Sequence, residues 1–220
     1  PLLNGFVLIG GTALTLRIGH RTSEDLDFCC GEVKLPRKAL AQLIRQAEQD
    51  GFAFAANDDP AAWDEFEIAG MDLHDHQQDY IVNQKTKVTF FTADNPLSKL
   101  LSFEKDAPLR VASLEELFRA KAIVSSQRSK SRDWFDLHHL FQNHEFDLEG
   151  FVKAFEIASI PTHWELALSR IISGKLSPSD EGYDHLIENP PNLHEIAQFF
   201  ETERNEYEAN LAETARRESN

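Results

Sequence analysis

Residues 6–28 read FVLIGGTALTLRIGHRTSEDLDF, and the fold turns on this stretch. Phe6, Val7, Leu8 and Ile9 form a short apolar run that stops at Gly10-Gly11, the pattern of a buried strand ending in a tight turn. A helix is expected from Thr12 to Ile18, with Thr12 as its candidate N-cap. A second strand is expected over residues 25–29. Side chains two apart on a strand share a face, so Asp25 and Asp27 converge while Leu26 turns into the core. Convergent carboxylates repel one another unless a cation lies between them, and hard divalent ions such as Mg²⁺ are held by oxygen ligands. A pair of such ions can clamp the attacking and leaving oxygens of a phosphoryl transfer. Gly10 and Gly11 let the backbone approach a ligand closely. The N–H groups and positive dipole end of the helix beginning near Thr12 suit a phosphate. Alone, Gly-Gly is commonly a turn and Asp-x-Asp a solvated surface. Strand, Gly-Gly, helix and Asp-x-Asp within a single short stretch are far more specific.

Outward from this stretch, Leu40, Leu43, Ile44 and Ala47 fall on one face of a helix after Pro36. Residues 57–64 read as a loop. Residues 79–82 and 87–91 read as two strands around Asn83-Gln84-Lys85, a hairpin rich in β-branched and aromatic residues. Pro96 and Pro108 flank a short helical stretch. Beyond residue 112 the pattern turns helical. Ser113-Leu114-Glu115-Glu116 is a capping box, and residues 133–143 form another helix. Pro161, Pro178 and Pro190-Pro191 then break the chain into shorter pieces. Leu193, Ile196, Phe200, Tyr207 and Leu211 line one face of a long final helix. The expected organisation is a mixed α/β core over residues 1–112 and an α-helical domain over residues 113–220.

The helix from Ser113 puts Leu114, Leu117, Phe118 and Lys121 on one face. A charge in that apolar phase is costly unless it is paired or opens onto a cleft. Lys121 could hold phosphates as a compact positive charge, or its stem could pack while its amine reaches water. Asp133 and Asp136, three apart, share a helix face. Both also lie in a first turn, where carboxylates simply complement the dipole.

GGTAL (residues 10–14) with HRTSEDLDF (residues 20–28) resembles the polymerase-beta-like nucleotidyltransferase superfamily and, within it, the AbiEii/AbiGii-type toxin family. Lys121 followed by RSKSRDWFDLHHL (residues 128–140) is similar to that family's second signature. The resemblance implies a Mg²⁺-dependent nucleotidyltransferase, with Mn²⁺ as the alternative ion, that uses a nucleoside triphosphate. It would be the toxin of a toxin–antitoxin or phage-defence pair. By the same resemblance Asp25 and Asp27 hold metal, and Gly10, Gly11, Thr12 and Ser23 contact the nucleotide. Lys121 binds the triphosphate, Asp133 or Asp136 completes the polar site, and Arg132 or Arg128 lies nearby. The active site is expected in a cleft between the two halves, with tRNA or a protein as acceptor and a cognate antitoxin as partner. Where many superfamily members carry a third carboxylate, Lys87-Val88-Thr89-Phe90-Phe91 places Thr89. Asp72, Asp75 or Asp79 are the candidates to replace it. Two other readings stay open: kinase-like phosphoryl transfer to a protein, and a degenerate nucleotidyltransferase fold acting as a binding module.

With 220 residues, 41% hydrophobic and 27% charged, the chain can bury a real core, which excludes wholesale disorder. No apolar run spans a bilayer, and Pro1-Leu2-Leu3-Asn4 lacks the features of a signal peptide. Cys29 and Cys30 are adjacent, which does not read as a disulfide framework and fits a cytoplasmic location. His74-Asp75-His76 lacks a third ligand at a metal-binding spacing. The net charge of −15 disfavours indiscriminate nucleic-acid binding. Eleven acidic and three basic residues fall within residues 180–220, however, whereas residues 119–132 hold five basic residues and no acid. A single phosphate-rich ligand could dock at that basic run.

Overall fold

A computed structural model describes residues 2–105 and 107–218, so Pro1 and the last two residues of the acidic tail lie outside the described residues. The chain divides into two compact units, Pro1–Leu117 and Phe118–Asn220.

The first unit is built on a six-stranded mixed sheet in the order β3-β4-β5-β2-β1-β6. Strand β1 (Phe6–Ile9) is buried throughout and passes directly into α1 (Gly10–Ile18). The expected turn and the Thr12 cap are therefore corrected. Ile9 occupies the N-cap position without a side-chain cap, and the helix starts two residues earlier. Gly10 makes this possible because its φ of +77° is open to glycine at little cost. Strand β2 (Leu26–Cys30) runs antiparallel to β1 and begins one residue later than expected, leaving Asp25 just outside the ladder. Helix α2 (Arg37–Gln49) buries Leu40 fully and half-buries Leu43, Ile44 and Ala47, as its periodicity required.

Strand β3 (Phe54–Ala56) pairs antiparallel with β4 (Gln77–Val82), which pairs antiparallel with β5 (Thr86–Thr92). Asn83 and Gln84 both take positive φ (51° and 59°), the backbone of a tight hairpin turn. Strand β5 then lies parallel to β2, and Phe28 stacks on Phe90 at 5.2 Å with Phe6 edge-on to Phe90 at 5.9 Å. Residues 57–64 are not all loop: α3 (Pro60–Ile68) starts there, with the Asp59 carboxylate accepting from the Ala61 N–H and Pro60 in the first turn. Its cap, not an apolar stripe, defines it, since none of its residues is buried. Of the helical stretch expected between Pro96 and Pro108, the described residues form the single-turn α4 (Asn95–Ser98), which includes Pro96.

Strand β6 (Arg110–Val111) closes the sheet and leads to α5 (Leu114–Gln127). The capping box is formed. Glu116 N–H donates to Ser113 Oγ at 3.2 Å, and Ser113 N–H donates to Glu116 Oε2 at 2.7 Å. The same carboxylate accepts from Ser102 N–H and from the Arg110 guanidinium.

In the second unit, helices α6 (Ser131–Asn143), α7 (Leu148–Ile157), α8 (His163–Ser173) and α9 (Leu193–Glu218) pack around aromatic side chains. Trp134, Phe118, Phe151, Phe155 and Phe200 are fully buried. Phe118 stacks on Phe146 at 4.2 Å, and Phe141 meets Phe151, Phe199 and Phe200 edge-on. Each such ring removed from water contributes about 1.5–3 kcal/mol. The face of α9 holds for Ile196 and Phe200, is half-buried at Tyr207, and gives way to an exposed Leu211.

Candidate active site

The two candidate sets lie in different units. In the first unit, Asp27 sits at the last rung of the β1–β2 pairing, opposite Ile9, which immediately precedes Gly10. Its carboxylate lies against Gly10. A methyl added there would come within 2.2 Å of Asp27 Oδ2. At Gly11 a methyl would meet the Arg21 guanidinium at 2.5 Å and Ser23 Oγ at 3.0 Å. The two glycines thus clear room for an acid and a base of the same chain at the start of α1. Thr12 does not cap its own helix, whose N-cap position Ile9 holds. Its hydroxyl donates to the Asp25 carbonyl oxygen and lies 3.0 Å from Ser23 Oγ, tying α1 to the segment that carries the carboxylates.

Arg21 lies inside the HRTSEDLDF stretch, but its spacing assigns it no role. It is 7% exposed and donates to the Thr22 carbonyl oxygen at 2.9 Å. An isolated Arg in a polar stretch leaves no periodic signal. Only its placement over Gly11 marks it.

Across the sheet, Asp27 is in register with Thr89, and Thr89 with Asp79. Thr89 Oγ1 donates to Asp79 Oδ1 at 2.5 Å, and Gln77 Nε2 to Asp79 Oδ2 at 2.6 Å. Of the carboxylates that could replace one at Thr89, Asp79 is therefore beside it. Asp72 and Asp75 instead engage Arg37 and Lys34 at the surface, and these hydrogen bonds hold both carboxyls below their usual range. His74 pairs with Asp58 at 2.8 Å. Among the described residues no three His, Cys, Asp or Glu side chains come together to hold a metal. What Asp25 and Asp27 offer fits Mg²⁺ carried by a nucleotide. Such an ion keeps several waters and is bound through one or two carboxylates plus substrate phosphates.

In the second unit, Lys121 and its partners form a buried charge cluster. Lys121 Nζ lies 2.6 Å from Asp133 Oδ1 and 2.7 Å from Asp136 Oδ2, with all three side chains buried. Arg128 Nε adds a contact to Asp133 Oδ2 at 2.9 Å. Burial raises the cost of charging Asp133, but Lys121 and Arg128 outweigh it and hold the carboxyl below its usual range. Arg132 turns away from this cluster, to the Gly182 carbonyl oxygen at 2.9 Å and Glu181 at 3.0 Å. Asp180, which no motif singles out, caps the start of α6 through Ser131 N–H and Oγ, both at 2.8 Å. Lys121, Arg128, Lys130 and Arg132 of the basic run thus all have partners within the chain. His138 is buried edge-on to Phe199, and burial lowers its pKa. Cys29 and Cys30 are buried free thiols whose pKa values burial raises, which leaves neither a ready nucleophile.

The first unit thus runs a buried strand straight into a glycine-opened helix, with Asp27 of the neighbouring strand against Gly10, the arrangement expected of a nucleotidyltransferase core. Solved structures agree. JHP933 from Helicobacter pylori superposes with a TM-score of 0.52 at 20% identity, over 98% of this chain and 89% of that one. MenT4, a nucleotidyltransferase toxin from Mycobacterium tuberculosis H37Rv, does so with a TM-score of 0.54 at 16% identity, over 90% and 75%. An uncharacterised protein of Aquifex aeolicus is 25% identical over 206 residues, 94% of this chain and 89% of its own length. Residues 1–216 match the family model for the nucleotidyl transferase AbiEii toxin of type IV toxin–antitoxin systems, and the chain belongs to that family. It is a nucleotidyltransferase of the toxin class.

Proposed function

We propose that the protein uses a divalent ion, Mg²⁺ or Mn²⁺, to transfer a nucleotidyl group from a nucleoside triphosphate to a hydroxyl of tRNA or of a protein, as the cytoplasmic toxin of a pair with its own antitoxin. The observation that carries this reading is that the Asp27 carboxylate lies against Gly10 and the Arg21 guanidinium against Gly11, at the uncapped start of α1. A phosphate drawn to Arg21 and the helix N–H groups would be repelled by Asp27 unless a cation joined them. The ion would supply charge neutralisation on the phosphates, held by Asp27 with Asp25 beside it. Gly10 and Gly11 leave the helix end open, Ser23 contributes a hydroxyl there, and Thr12 positions the Asp25 segment. In the second unit Asp133 and Asp136 hold the Lys121 amine and Arg128 flanks Asp133, the polar cluster that the family resemblance assigns to triphosphate binding. Arg132 acts through the loop that caps α6. Transfer then proceeds chiefly by positioning and electrostatic stabilisation.

The test is incubation of the protein with each labelled triphosphate, total tRNA and antitoxin-free cell extract, with and without EDTA. Label is expected on one acceptor class, lost with EDTA and lost in Asp25→Ala/Asp27→Ala. Equal labelling by wild type and the double variant would overturn the assignment. No label from wild type, with neither protein binding nucleotide in the presence of Mg²⁺, would favour a degenerate binding module instead.

A further inference from the structure

Asp79 is a buried carboxylate to which metal binding at Asp25 and Asp27 gives no role. It is 3% exposed, and its nearest ion-pair partner is Lys87 Nζ at 3.7 Å, beyond hydrogen-bonding distance. Burying a carboxylate is costly without good compensation. The compensation here comes from two neutral donors, Thr89 Oγ1 at 2.5 Å and Gln77 Nε2 at 2.6 Å. Its position is also particular. Paired residues on neighbouring strands point their side chains to the same face, so Asp27, Thr89 and Asp79 form one row across β2, β5 and β4.

The direction of the middle hydrogen bond gives this row a chemical sense. A threonine hydroxyl has one proton and two lone pairs. Because Thr89 gives its proton to Asp79, its lone pairs are left to accept. The side chain next to it in the row is Asp27. A hydroxyl brought up to an ion on Asp27 must lose a proton as it attacks phosphorus, and an ionised Asp27 bound to that ion is a poor acceptor for it.

We propose that Thr89 and Asp79 form a proton relay for the attacking hydroxyl. As the acceptor oxygen bonds to the α-phosphorus and the bond to pyrophosphate breaks, the acceptor's O–H proton passes to Thr89 Oγ1, and the Thr89 proton passes to Asp79 Oδ1. Thr89 ends as it began, Asp79 ends protonated, and solvent later takes the proton from Asp79. Thr89 is the group that touches substrate, and Asp79 acts through it. The relay rests on the nucleotidyl-transfer reading and assigns it the proton acceptor that Asp25 and Asp27, engaged with metal, do not provide.

The experiment compares Thr89→Val, Thr89→Ser, Asp79→Asn and Asp27→Asn with wild type. Single-turnover transfer of α-labelled triphosphate to total tRNA and extract protein is followed, with Mn²⁺ affinity by electron paramagnetic resonance and the melting temperature alongside. Loss of a positioned proton acceptor slows transfer about 10²–10⁴-fold, so Thr89→Val and Asp79→Asn are expected to fall in that range. Thr89→Ser keeps the hydroxyl and is expected to keep the rate. Thr89→Val and Asp79→Asn are expected to keep wild-type Mn²⁺ affinity, and Asp27→Asn to lose it. A wild-type rate in Thr89→Val overturns the relay, as does a Thr89→Ser rate as low as that of Thr89→Val. Loss of Mn²⁺ binding in Asp79→Asn makes Asp79 a metal ligand and also overturns it. If Asp79→Asn does not fold, the Val and Ser variants at Thr89 decide alone. Should wild type and Asp27→Asn alike transfer nothing, the nucleotidyl-transfer reading fails and the relay with it. If wild type transfers, Asp27→Asn does not and Thr89→Val matches wild type, only the relay fails.

Discussion

Gly10 holds a positive φ and leaves its space to the Asp27 carboxylate, so a single methyl group there has two consequences. Gly10→Ala strains the backbone by about 1–3 kcal/mol and displaces the carboxylate. The expected outcome is a folded protein with a lower melting temperature and lost Mn²⁺ binding, measured by thermal denaturation and manganese titration. Asp133 gives a contrasting prediction, because its partners are already in place. Asp133→Asn leaves Lys121 with one carboxylate and Arg128 with none of this pair, and breaking a buried ion pair costs about 3–5 kcal/mol. Urea denaturation checks this. Asp133 is held below its usual pKa, so its stabilisation is present above the unfolded carboxylate range and lost as pH falls through the lower folded value. Asp25 and Asp27 stand out in the sequence because Asp-x-Asp follows strand, Gly-Gly and helix within one short stretch. Arg21 stands in the same HRTSEDLDF motif, but its place over Gly11 could not be read from spacing. The Thr89–Asp79 contact was equally hidden, since it depends on strand register.

At the scale of elements, α5 shows how far a local rule reaches. Ser113 and Glu116 announce the helix start in the sequence, and both reciprocal hydrogen bonds form. What the motif does not announce is that Glu116 also holds Arg110 and Ser102. Burial alone would raise the Glu116 pKa. The Arg110 hydrogen bonds and the two backbone N–H groups outweigh it and bring the carboxyl down to about 2. A shift of this size is worth about 3 kcal/mol. It stabilises the fold fully above the unfolded value near 4.5 and is lost as pH falls toward 2. Glu116→Gln is expected to lose most of it at neutral pH and to flatten the acid limb of a stability-against-pH curve. Helix α3 is hidden for the converse reason. Asn57, Asp58, Asp59 and Pro60 look like a loop by composition, and α3 buries no stripe that would reveal it.

At the scale of the whole molecule, charge is the property that the structure most revises. A net −15 with a basic run suggested a local docking patch, yet Lys121, Arg128, Lys130 and Arg132 are all engaged within the chain. Residues 180–220 carry eleven acidic and three basic side chains, and residues 208–217 of α9 are exposed. Deleting residues 211–220 is therefore expected to leave the melting temperature nearly unchanged, whereas Phe200→Ala, which removes a fully buried ring, is expected to cost about 3–5 kcal/mol. The mixed α/β order and the helical second half were legible because each element is short and locally patterned. The sheet order, which brings β5 between β2 and β4, was not, because it is set by pairings between strands far apart in sequence.

The proposed chemistry stands on a single event, the movement of the α-phosphate of a triphosphate to an acceptor hydroxyl. Parallel reactions with α-labelled and γ-labelled triphosphate, total tRNA and extract protein measure it directly. Stable labelling of the acceptor from the α position only, with pyrophosphate released and no labelling by Asp27→Asn, is the expected result. Labelling from the γ position only would show phosphoryl transfer and refute nucleotidyl transfer.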